Sequence, residues 1–364
     1  MSIKTNIQWC DSTVNPMMAC DGCELWPTIL QLVNNIAEVA KISDQKNLIK
    51  GQLAGLLPSD VYHRRAEFAR MFTQSPDPHE IAVSEKAIKD SFRCYAGQLH
   101  LFRGEDDTKP LKKTNPGYAR KFEEPKLFPG RTAAAAAWRD LGGEERPDSP
   151  WKKTLPRLIF ISDMGDALSK DVPFEYLHTE IIKVASSGKG QRHIWLWLTK
   201  RPRRMAEFSD WLIERDISWP DNLVAMTSVT SAETAGRVEQ LRKVRCKFRA
   251  LSVEPLWTPV NLPLEGIDWA IVGGESGSGA KPFQLDWARD IIGQCRTAGV
   301  APFVKQLGAA PFEGDRPLNL RDSHGGDWEE WPTDVRVREF PPFKLIGALV
   351  KNASSHISIP SQRP

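Results

Sequence analysis

Six short apolar runs punctuate the second half of the chain: residues 158–162 (LIFIS), 194–198 (IWLWL), 223–226 (LVAM), 248–253 (FRALSV), 269–272 (WAIV) and 302–304 (PFV). As a set they lack the sustained apolar–polar alternation of strands with one wet face. They read as strands buried on both sides, the pattern of a parallel sheet. Amphipathic stretches at 175–185, 203–214, 232–244 and 286–298 lie between them and predict helices. Strands alternating with helices through short loops are βαβ units. The first half adds a strand at 6–14 and another near 126–128. The expected fold is therefore α/β, a complete or partial (β/α) barrel of the TIM type.

Each run ends in polar or glycine residues. The endings are Ser162-Asp163-Met164-Gly165-Asp166, Thr199-Lys200-Arg201-Pro202, Thr227-Ser228, Glu254-Pro255, Gly273-Gly274-Glu275-Ser276-Gly277 and Lys305-Gln306. Binding and catalytic groups of parallel barrels sit at the C-terminal ends of the strands, so these residues are the candidates for a site. Glycines at such a turn also allow close backbone approach with no ligand involved.

The first half is less regular. Residues 28–41 carry Ile29, Leu32, Val33, Ile36, Val39 and Ala40 at helical spacing. Residues 43–91 read as a mainly helical, charged segment. Residues 132–141, rich in alanine, predict another helix. The division expected is one barrel domain over 1–341, with a helical insertion at about 43–91. A partly disordered tail, 342–364, follows it.

Composition narrows the class. A hydrophobic fraction of 41% in 364 residues supports a large core, and a net charge of +3 demands neither a nucleic acid nor a membrane. No apolar run reaches about 18 residues, so no membrane span is expected. Residues 1–8 lack the apolar stretch of a signal peptide. The expected location is the cytoplasm, without membrane association.

Six cysteines in a reducing compartment point to metal or redox chemistry more than to disulfides. Cys20-Asp21-Gly22-Cys23 is a C-x-x-C turn that follows the first strand, and such a turn aims two sulfurs at one metal. Cys94 lies 71 residues beyond Cys23 (94 − 23) and opens Cys94-Tyr95-Ala96. Cys10, Cys246 and Cys295 are isolated and read as packed thiols. Cys20, Cys23 and Cys94 are the candidate metal ligands.

The ordered motifs resemble a phage-associated, largely uncharacterised family of radical-SAM-like proteins. The carriers are Trp9, Asp11, Thr13, Asn15-Pro16, the cysteines with Tyr95-Ala96, and the strand endings above, with Ser252-Val253-Glu254-Pro255-Leu256 and Lys305-Gln306-Leu307-Gly308. The resemblance spans roughly residues 1–341. It implies a TIM-type barrel in which Cys20, Cys23 and Cys94 hold a [4Fe–4S] cluster, leaving one iron open for S-adenosylmethionine. It also implies that the cofactor is reductively cleaved to act on a substrate left unnamed, with nucleic acid or a nucleotide as one class. The reductant would be a protein such as a flavodoxin or ferredoxin. Most such proteins keep the three cysteines in one loop. Here the helical segment stands between the second and third, which loop-closure entropy tolerates.

S-adenosylmethionine needs acceptors for its amine and ribose hydroxyls and a donor for its carboxylate. Asp163, Glu254 and Glu275 could accept, and Lys200 or Arg201 could pair with the carboxylate. Tyr95, Ser162, Thr199, Ser228, Gly273 and Gly274 complete the candidate cofactor set, and no residue is singled out as catalytic. The residues by themselves leave two other readings open. One is a zinc-stabilised binding module in which His100 is the fourth ligand. The other is a metal-dependent hydrolase or nuclease using Asp163, Glu254 and Glu275.

Overall fold

The computed structural model describes residues 1–39, 45–73, 76–103, 117–153, 155–277 and 279–343. In chain order the described strands are β1 (Ser12–Val14), β2 (Met17–Met18), β3 (Lys126–Leu127), β4 (Leu158–Ile161), β5 (Ile194–Thr199), β6 (Leu223–Ser228), β7 (Arg249–Val253), β8 (Trp269–Gly273), β9 (Phe283–Gln284), β10 (Ala301–Gln306), β11 (Pro311–Glu313) and β12 (Arg316–Pro317). The α-helices are α1 (Ile29–Val39), α2 (Lys46–Gln52), α3 (Pro58–His63), α4 (Arg65–Thr73), α5 (Pro78–Asp90), α6 (Tyr95–Arg103), α7 (Arg131–Ala136), α8 (Phe174–Leu177), α9 (Lys183–Ser186), α10 (Pro202–Ile213), α11 (Arg237–Arg242) and α12 (Leu285–Ala298).

The described residues fall into two compact units. One takes those within Met1–Val14, Pro129–Ile161 and Pro173–Pro364; the other takes those within Asn15–Phe128 and Ser162–Val172.

The first is the sheet unit. Its seven strands run parallel in the order β1-β4-β5-β6-β7-β8-β10. The sheet curls into a half-barrel with β1 and β10 at its edges. The partial form of the expected barrel is the one present. All six apolar runs of the second half are strands here, and β4, β6 and β8 are buried at every position. One face is filled by Trp9, Phe160, Leu196, Met226, Trp269 and Phe303.

Four expectations need correction. The strand at 6–14 is only three residues long, because Thr5 N–H is already drawn to Asp11 O in a turn. The segment near 126–128 lies outside the parallel sheet, since β3 pairs antiparallel with β2. The helix at 232–244 is broken: Thr234 Oγ1 accepts from the amides of Thr230 and Ser231, tightening a 3₁₀ turn before α11. The helix at 132–141 ends at Ala136, and Asp140 Oδ1 turns the chain by accepting from Leu141 and Gly142. The stretch at 175–185 is helical throughout, with a π-helical turn, His178–Ile182, joining α8 to α9.

The second is the cysteine unit, built from α1 to α6 and the β2–β3 pair. Its core contains Trp26, Leu32, Ile36, Ile49, Val61, Phe68, Phe72, Ile88, Phe92 and Phe122, and Cys20 belongs to it. Residues 40–44, 74–75 and 344–364 lie outside the described residues. They include parts of the segments expected at 28–41 and 43–91 and most of the expected tail. No helix among the described residues is long and apolar enough to cross a membrane.

Candidate functional site

Cys20 follows a strained residue. Ala19 has φ +98°, a conformation that an L-residue with a Cβ adopts only at a cost of about 1–3 kcal/mol. Its carbonyl is fixed in place: Asp166 N–H donates to it at 3.2 Å, and a Cβ on Gly165 would lie 2.6 Å from it. Cys20 N–H then donates to Phe122 O at 2.8 Å. The Cys20 side chain is buried.

Cys23 begins a narrow turn in which it and Trp26 exchange both backbone hydrogen bonds, at 2.8 and 3.1 Å. Leu25 N–H points back at Cys23 Sγ, 3.4 Å away. An amide aimed at sulfur favours negative charge there, and hydrogen bonds to cluster sulfurs are one means by which proteins tune them.

Cys94 returns to this turn. The amides of Arg93 and Cys94 both donate to Leu25 O, at 2.9 and 2.8 Å. Cys94 stands immediately before α6, and Gln98 N–H donates to its carbonyl at 2.8 Å. The positive end of the helix dipole therefore lies at Cys94, where an anionic ligand set is favoured. Gly97 allows the approach: a Cβ there would sit 2.2 Å from the Trp26 ring. The chain thus leaves the turn at Leu25 and comes back to the same carbonyl.

The main chain brings the Cys94 segment back to the C-x-x-C turn. Among the described residues, no three His, Cys, Asp or Glu side chains are grouped closely enough to hold an ion as placed.

Ser162 and Asp163 belong to the same unit. Asn15 Nδ2 donates to Asp163 Oδ1 at 2.6 Å, and Met164 N–H donates to Asn15 Oδ1 at 2.9 Å. Asn15 thereby ties this loop to the chain just before β2. Ser162 is buried, and its Oγ has no hydrogen-bond partner among the described residues. Tyr95 projects into solvent, 68% exposed. His100 is 3% exposed, its ring 5.7 Å from Tyr118 and 5.6 Å from Phe122. Burial pulls its pKa down to about 4, so the imidazole is neutral at pH 7, and Nε2 has no hydrogen-bond partner among the described residues.

The remaining candidates lie in the sheet unit, at the C-terminal ends of its strands. Thr199 is buried, and its Oγ1 accepts from Arg201 N–H at 2.9 Å. Lys200 is half-buried between β5 and α10. Ser228 is buried at the end of β6. Glu254 forms an ion pair with Lys305 across the ends of β7 and β10. Gly273 and Gly274 serve close packing: Gly274 N–H donates to Gln306 O at 3.1 Å, and a Cβ on Gly274 would lie 2.4 Å from Leu307 O. Glu275 Oε2 accepts from Trp257 Nε1 at 3.1 Å and from Lys281 N–H at 3.0 Å.

The model of a family of proteins of unknown function, DUF5131, matches residues 93–332, more than half of the chain. The chain belongs to that family. No curated protein and no solved structure matches it. The matched region opens at Arg93, so it contains Cys94-Tyr95-Ala96 and every strand-end candidate but excludes Cys20 and Cys23.

Sequence reasoning did not single out Trp26, Gly97 or Glu123. Trp26 Nε1 donates to Glu123 Oε1 at 2.9 Å. Only the glycine after Cys-Tyr-Ala hints at a close approach; Glu123 has no local signal.

Proposed function

We propose that this DUF5131 protein is a radical-SAM-type enzyme in which Cys20, Cys23 and Cys94 hold a [4Fe–4S] cluster. The observation that carries the reading is the return of Cys94 to Leu25 O, against the C-x-x-C turn. Helices α1 to α5 then form an insertion within the cluster loop. The family match starts at Arg93, one residue before Cys94.

A cluster with an open iron supplies reductive cleavage of the sulfonium of S-adenosylmethionine. The residues of this chain would bind and orient. Asp163, anchored by Asn15, would accept from the amine of the cofactor. The buried Ser162 Oγ would offer a further polar contact. Thr199, Lys200, Ser228, Glu254 and Glu275 would be binding residues at the strand ends of the sheet unit. The substrate stays unnamed, with a nucleotide or nucleic acid as one class, and the electron donor would be a protein such as a flavodoxin or ferredoxin.

Cleavage of the cofactor tests this. Reconstituted, chemically reduced protein should convert S-adenosylmethionine to 5′-deoxyadenosine and methionine, and a Cys94→Ala variant should not. Cluster-loaded protein that releases no 5′-deoxyadenosine overturns the reading.

A second reading has one observation in its favour. The neutral, buried His100 is suited to serve as fourth ligand of a structural zinc beside the three thiolates.

A further inference from the structure

We propose that Glu123 is a positioning residue for the three cysteines. The inference rests on reading them as one metal site, and names what holds that site in shape.

Trp26 closes the turn that begins at Cys23, and its indole is fully buried. Its Nε1 donates to Glu123 Oε1 at 2.9 Å. The same oxygen accepts from Ser59 N–H at 2.9 Å, and Oε2 accepts from Ser59 Oγ at 2.8 Å. Ser59 lies in the first turn of α3, so one carboxylate joins the cysteine turn to that helix.

The neighbouring residue holds the other end of the C-x-x-C segment. Phe122 O accepts from Cys20 N–H at 2.8 Å, and the Phe122 ring meets Trp26 edge-on, with centroids 4.7 Å apart. Phe122 and Glu123 therefore grip Cys20 through the main chain and the Cys23–Trp26 turn through the indole. The third cysteine is referred to the same indole. Phe92 packs on it at 4.8 Å, and Gly97 lies so close that a Cβ would overlap the ring. Phe92 and Gly97 flank Cys94 in sequence.

The contact serves positioning as well as stability. Burial raises the pKa of the Glu123 carboxyl, and the bonds from Ser59 and Trp26 offset only part of that rise. Losing the carboxyl would leave the Trp26 and Ser59 donors unpaired. What the carboxylate adds is direction, with three donors meeting it at fixed angles.

Thiol cross-linking of the metal-free protein tests this without reference to which metal binds. Reduced protein is treated with dibromobimane, which fluoresces once both arms have alkylated thiols, and peptide mapping identifies the pair. The wild type should give a Cys23–Cys94 product. Glu123→Ala and Glu123→Asp should lower its yield several-fold while keeping a cooperative urea transition. Glu123→Gln should restore most of it, since its amide oxygen can accept from Trp26 and Ser59 N–H while its NH₂ donates to Ser59 Oγ. If Glu123→Ala does not fold, Glu123→Asp decides, because it keeps the carboxylate but is one methylene too short to hold Trp26 Nε1 and Ser59 as the glutamate does. A wild-type yield in Glu123→Asp, or no rescue by Glu123→Gln, overturns the proposal. Absence of the Cys23–Cys94 product from the wild type itself is a different result, and removes the shared-site reading instead.

Discussion

Two residues of the cysteine unit make the packing argument quantitative. Gly97 faces the Trp26 ring with no space for a methyl group. Gly97→Ala must push aside a fully buried indole, so it should destabilise the protein by about 2 kcal/mol, the usual cost of overpacking. A lower urea midpoint at unchanged slope would show this. His100 gives a pH dependence. Its pKa in the folded chain is about 4, against an ordinary value of 6.5. Between these values the unfolded chain binds a proton that the folded chain does not, so stability is full above pH 6.5 and falls as pH drops toward 4. The full span corresponds to about 3 kcal/mol. His100→Phe should flatten that part of the stability–pH curve, read from urea midpoints at pH 7 and pH 4.5. Equal slopes in the variant and the wild type would contradict the assignment.

At the scale of elements, the parallel strands were legible because both faces of β4, β6 and β8 are buried. Burial on two sides leaves an uninterrupted apolar run, which needs no partner to be recognised. The polar strand ends were legible for the same reason, as the points where the runs stop. The short elements were not. β1 is three residues and β2 and β3 two each, too short to carry a period. The break before α11 depends on one threonine hydroxyl. In the site, the C-x-x-C was visible locally and the Cys94 triplet by resemblance. Glu123 was invisible, because nothing near it in sequence records the 97 positions separating it from Trp26 (123 − 26).

The edge strand β10 supplies the prediction at this scale. Its open side is covered by the segment 337–339: Val304 N–H donates to Val337 O at 2.7 Å, and Glu339 N–H donates to Pro302 O at 3.0 Å. Arg338 locks the cover. Its guanidinium lies 4.0 Å from the Trp151 ring and 5.1 Å from Trp331, and donates to Val304 O and Lys305 O at 3.1 and 3.0 Å. Burial lowers its pKa to about 10, so it stays charged at pH 7. Arg338→Lys keeps the charge but loses the planar stack and the forked donors. It should cost about 2 kcal/mol. Arg338→Ala should cost more and raise aggregation, as an uncovered edge strand pairs with other chains. Denaturant melts and light scattering of the two variants check this.

For the whole molecule, a half-barrel sheet unit and a helical cysteine unit are established, together with membership of the DUF5131 family. The account of function stands on a different kind of observation. Two parts of the sequence 71 positions apart (94 − 23) meet at one carbonyl, and each brings cysteine to it. The most direct measurement is the iron and acid-labile sulfide content of protein reconstituted without oxygen, with its visible absorption, for the wild type and Cys94→Ala. The account predicts a brown wild type with about four iron and four sulfide per chain, and loss of most of both in Cys94→Ala. A colourless wild type holding one zinc per chain would contradict it.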